Sequence, residues 1–155
     1  MFRPRYTAVS LAGLLAASAQ GAQLTDFVGH WSCKGSFSNG KPIAAELSVE
    51  ADAPSGALVV HHDDLPPGGY HSLEVWTPNK SGPGLRAALA DKYSGMRWFE
   101  STGWVGDALT WVRMENGMPA EQFSYEVNGN TFQVQWSTAK DGGMKIGDTI
   151  MCARG

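Results

Sequence analysis

Charge is scarce in this sequence. Asp, Glu, Lys and Arg make up 17% of its 155 residues, against about 25% in an average globular domain. The 12 Lys and Arg are outnumbered by 15 Asp and Glu and form no cluster, which argues against a phosphate-gripping surface for nucleic acid. No histidine follows His71, and cysteine is limited to Cys33 and Cys152. No Gly-x-Ser-x-Gly elbow is present: Ser94-Gly95 and Ser101-Thr102-Gly103 lack the strand–turn–helix setting such a nucleophile needs. No glycine loop ends in Lys-Ser or Lys-Thr, so the phosphate-cradling loop is missing too. From Phe27 onward no apolar pattern keeps a helical period. Disorder is excluded by the opposite token, since hydrophobic residues reach 43%.

The first 22 residues read as an address. Arg3 and Arg5 supply a positive start, Ala8 to Ala17 a short apolar stretch, and Ala17-Ser18-Ala19 a cleavage site of A-x-A form, with Ala19-Gln20-Gly21 or Ala22 as alternatives. The stretch is too brief to cross a hydrocarbon core of about 30 Å as a helix. The expectation is a signal peptide over 1–22, cleaved on export, and a single domain over 23–155. The product would be extracytoplasmic, periplasmic or secreted, with no stable membrane insertion after cleavage. Losing that segment leaves 10 Lys and Arg against 15 Asp and Glu, an acidic balance that favours solubility.

What remains is rich in β-formers broken by turn chemistry. Candidate strands are 27–37, 43–50, 57–63, 70–76, 85–91, 97–101, 108–114, 122–127, 131–137 and 145–154. Between them lie Ser38-Asn39-Gly40, Pro66-Pro67-Gly68-Gly69, Pro78 to Gly84, Asn128-Gly129-Asn130 and Asp141-Gly142-Gly143. Short loops joining about ten strands predict an all-β fold, a single closed antiparallel up-and-down barrel that leaves no free edge. Ile43, Ala45, Leu47 and Val49 share one face, as do Phe132, Val134 and Trp136. Leu73 and Val75 oppose Tyr70 and Trp76, so the inner face of that strand stays open.

Export makes a disulfide the simplest reading of two cysteines. Cys33 lies in the first strand and Cys152 in the last, so the bond would make those strands neighbours, as barrel closure requires. With the two cysteines opposed across an antiparallel pair, Trp31 falls opposite Arg154 on the same face, an indole beneath a guanidinium. A bonded pair leaves no thiol for nucleophilic chemistry.

Gly29-His30-Trp31, following Asp26-Phe27, resembles the Gly-x-Trp signature of lipocalin-like barrels, the calycin superfamily. In that family the Trp seals one barrel end under an Arg of the final strand, the roles this resemblance implies for Trp31 and Arg154. Gly29 through Gly35 is also similar to the Gly-x-Trp-x-Gly-x-Gly start of the ten-stranded, nitrobindin-like branch, with Cys33 in place of a glycine. As a whole the mature chain is similar to a small exported lipocalin-like family of bacteria, which brings no activity with it. The nitrobindin-like branch implies haem held by a His of a late strand, and that ligand is missing here. A haem would have to recruit His61, His62, His71, Met144 or Met151.

Two constellations remain. His61-His62-Asp63-Asp64 and His71 flank one loop, where two His and a carboxylate can start a zinc shell. The same residues can also form a polar rim that bonds the loop, or touch a ligand at a barrel mouth. The six Trp residues fill a core or wall a cavity. Trp98, Trp111, Tyr125 and Trp136 fall on neighbouring strands and are the first candidates for that wall, joined by His61 and His71 at the mouth. Arg97, Arg113 and Glu100 lie among them and can orient a polar group, although such residues commonly face water. The expected function is binding of a small, largely apolar molecule inside the barrel, with no resident cofactor or metal and no catalytic residue assigned. The alternatives are a metal-dependent or acid–base enzyme using His61, His62 and His71, and a solid-cored structural or interaction module.

Overall fold

A computed structural model describes residues 22–155; the expected signal segment therefore lies, but for Ala22, outside the described residues. The strands are β1 (Gly29–Phe37), β2 (Pro42–Asp52), β3 (Ala57–Asp64), β4 (His71–Pro78), β5 (Leu85–Asp91) and β6 (Gly95–Ser101). There follow β7 (Trp104–Val105), β8 (Ala108–Glu115), β9 (Met118–Asn128), β10 (Thr131–Lys140) and β11 (Gly143–Arg154). A 3-10 turn at Leu24–Phe27 precedes them.

The sheet runs β6-β5-β4-β3-β2-β1-β11-β10-β9-β8-β7 and returns on itself through β6–β8. It is a closed antiparallel barrel of ten strands, with the two-residue β7 as an addition that alternation does not reveal. The two seams are unequal. Between β1 and β11 the ladder runs from Trp31 opposite Arg154 to Phe37 opposite Asp148, and Cys33 and Cys152 are joined within it as a disulfide. Between β6 and β8 one pair, Glu100 opposite Val112, closes the circle.

The period of two assigns the faces. Trp31, Cys33, Ala45, Leu47, Val49, Leu58 and Val60 point inward and are buried. On β4 the inner face is Ser72, Glu74 and Trp76, while Leu73 and Val75 stand outside. That choice follows from register: Glu74 lies beside Val60 and Trp76 beside Leu58, both core residues.

One end is packed solid by aromatic rings. Phe27, delivered by the 3-10 turn, meets the rings of Trp76, Tyr125 and Phe132 at 5.4, 5.5 and 5.2 Å, and stacks on Trp104 at 5.8 Å. Edge-to-face contact sets the positive ring edge on the negative ring face. The turn is held by two anchors. Trp31 Nε1 donates to the Phe27 carbonyl at 2.7 Å, and the Arg154 guanidinium donates to the carbonyls of Val28 and Asp26 at 2.6 and 2.9 Å. The same guanidinium lies 4.2 Å from the Trp31 ring centre. Gly29 makes room for it: at φ +137° a Cβ there would come within 2.6 Å of Arg154 Nη1.

Candidate functional site

Opposite the aromatic end the barrel is hollow. A cavity of about 910 Å³, at the upper end of the range for small-molecule pockets, opens between the β1–β2 turn, the Leu65–Tyr70 connection and the β5–β6 turn around Tyr93 and Ser94. Its apolar wall includes Ile43, Leu47, Phe123, Val134 and Ile150, and Tyr125 and Trp136 contribute aromatic surface.

The rest of the lining is ionisable. His62 and Asp64 point inward from β3, with His62 Nε2 and Asp64 Oδ1 3.2 Å apart. Glu74, only 7% exposed, accepts hydrogen bonds from the Ser72 hydroxyl at 3.1 Å and Trp76 Nε1 at 2.8 Å. Burial pushes its carboxyl up from the ordinary range, against the opposing pull of the Trp76 bond and of His62. Asp148, from β11, is pushed up to about 6 by burial, with Asp64 adding to the rise and His62 and the Trp136 backbone bond opposing it. Burial also raises the phenols of Tyr70 and Tyr125.

A second group ties the thin seam together. Arg97 of β6 donates to Asp91 of β5 and to Glu121 of β9. Glu121, 3% exposed, also accepts from Arg113 Nε at 3.1 Å and from Trp136 Nε1 at 2.9 Å. Burial alone would lower the affinity of Arg97 for its proton. The bond and charge of Glu121, with the charge of Asp91, more than offset this and raise it.

The structure divides the residues singled out from sequence. Tyr125 and Trp136 line the cavity. Trp111 is buried in the aromatic end, its ring 5.3 Å from that of Trp76, and is not part of the wall. Trp98 is 67% exposed on the outer face. Adjacent residues of a strand face opposite ways, and β6 turns Arg97 and Phe99 inward. His61 and His71 are also outside, His71 Nδ1 lying 2.8 Å from Asp63 Oδ1 across the β3–β4 pair. The barrel wall thus separates them from His62, so the three histidines share no site. Among the described residues no group of three His, Cys, Asp or Glu is arranged to hold a metal ion. Glu100 is exposed and pairs with Arg86 at 3.2 Å.

Alternation alone does not single out Glu74, Glu121 and Asp148. The signal for Glu74 and Asp148 is register, which sets them beside Val60 and Trp136; Glu121 shares the inner face of β9 with Phe123 and Tyr125. Gly147 marks one more. A Cβ there would come within 2.3 Å of the Trp136 ring, so glycine lets that indole lie across β11 where the β10–β11 register shifts. No protein-family model matches the chain, and no curated protein does either.

Proposed function

We propose that the protein binds one small, largely apolar molecule inside the barrel, and does so outside the cytoplasm. The observation that carries this is the cavity itself: ten strands closed around a space of about 910 Å³, stoppered at one end and open at the other. A solid-cored module has no use for such a space. The Trp31–Arg154 stack over a disulfide-joined first and last strand supports kinship with lipocalin-like barrels, and the disulfide fits an oxidising compartment.

The test is fluorescence titration with N-phenyl-1-naphthylamine, an apolar reporter that brightens when it leaves water. The expected result is saturable one-to-one binding that Val134→Trp abolishes by filling the wall while the fold persists by circular dichroism. No saturable binding of this probe, or binding indifferent to Val134→Trp, overturns the proposal.

A further inference from the structure

Charge inside the cavity is out of balance. Five carboxylates line it: Asp64, Glu74, Asp91, Glu121 and Asp148. Asp91 and Glu121 are matched by Arg97 and Arg113 through direct contacts. Among the described residues the remaining three form no ion pair with a lysine or arginine: His62 pairs with Asp64, and the Arg97 charge reaches Glu74 without contact. Lys34 and Lys41 also border the space, but both are exposed at the rim. Neither oxygen of Glu74 is paired with a cation: one takes a hydroxyl, the other an indole N–H. A carboxylate oxygen accepts more than one bond, so Glu74 keeps acceptor capacity.

Tyr125 meets the same space independently of the acids. Tyr125 is 5% exposed and lines the cavity. Its ring is packed in the aromatic floor against Phe27 and Trp76, and its hydroxyl forms no hydrogen bond among the described residues. The hydroxyl is not closed off from solvent, so it faces the cavity, where water or a polar group of a bound molecule can pair with it. It lies in the field of Glu74 and Asp148.

We infer that the molecule bound is an amphipathic cation, a nitrogen base on an apolar body. Its charged end sits among Asp64, Glu74 and Asp148 against the Tyr125 hydroxyl, and its apolar part lies along Leu47, Phe123, Val134 and Ile150. This rests on the interior-binding reading and adds the chemical class. Burying a carboxylate without a partner is costly, and an incoming ammonium supplies one. A fatty-acid-like ligand would bring a like charge to the same place and meet repulsion instead.

Three ligands of equal chain length separate the possibilities: octylammonium, octan-1-ol and octanoate, each used to displace N-phenyl-1-naphthylamine at pH 7.5. The ammonium is expected to bind about tenfold tighter than the alcohol, the scale of one charge-assisted contact, and octanoate weakest. Asp148→Asn and Glu74→Gln should each erode that preference while leaving octan-1-ol affinity little changed. Asp148 is only half-buried, so its variant tests the point even where Glu74→Gln fails to fold. Octanoate binding as tightly as the ammonium, or an ammonium preference untouched by Asp148→Asn, overturns the cation assignment and leaves interior binding standing. Failure of the reporter and all three ligands to bind overturns both.

Discussion

At the scale of single residues, Asp148 illustrates how a cavity spends stability on chemistry. Its carboxyl is pushed up to about 6 from an ordinary 3.8, chiefly by burial. The folded protein therefore holds this proton more tightly than the unfolded chain. Ionising Asp148 favours unfolding, and its contribution to stability falls as pH rises from about 4 to about 6. Asp148→Asn, which cannot ionise, should raise the thermal midpoint at pH 7.5 and lose that advantage near pH 4. Calorimetric melts at the two pH values check it; a wild type that is the more stable at pH 7.5 contradicts the burial argument. Arg154 does the reverse, committing its charge to holding the stopper. Its partners were legible early, because opposing Cys33 and Cys152 places it beside Trp31. The need for Gly29 was not, since only the path of the guanidinium reveals it.

The strands themselves read well from sequence, because alternation and Asn-Gly or Gly-Gly turns are local signals. The differences lie at their ends. Phe27 belongs to the 3-10 turn and not to β1, and β9 begins at Met118, where pairing continues past the apolar alternation. The contents of the cavity read poorly. Where Trp98 and Phe99 stand side by side, hydrophobicity cannot say which faces in; Asp91 and Glu121 decide it by drawing Arg97 inward. The His61, His62 and His71 group dissolves for the same reason, since a period of two puts neighbours on opposite sides of the wall. The element most exposed to failure is the β6–β8 seam, joined by a single ladder pair and by Glu121. Glu121→Leu should cost about 1.5–3 kcal/mol, because it leaves Arg97 with Asp91 alone, Arg113 with Glu115 alone and the Trp136 indole N–H without its acceptor. Urea unfolding measures this, and a loss below about 1 kcal/mol would mean that the side-chain cluster does not hold the seam.

For the whole molecule, the closed topology makes the first and last strands partners, and the disulfide spans a separation of 119 residues. Chain-entropy arithmetic assigns such a link at most about 5 kcal/mol. The double variant Cys33→Ala, Cys152→Ala should therefore unfold at markedly lower denaturant yet keep its β spectrum, because the β1–β11 ladder and the Trp31–Arg154 stack remain. An intact mass two hydrogens below that of the reduced chain verifies the bond beforehand; an unchanged unfolding midpoint would show that the link adds nothing to the ladder. The aromatic stopper has a further consequence. A barrel blocked at its base is a cul-de-sac, so under the proposed reading a newcomer could not push a resident through from behind. The resident would have to back out by the way it came, and turnover would be paced by that departure, however crowded the queue outside.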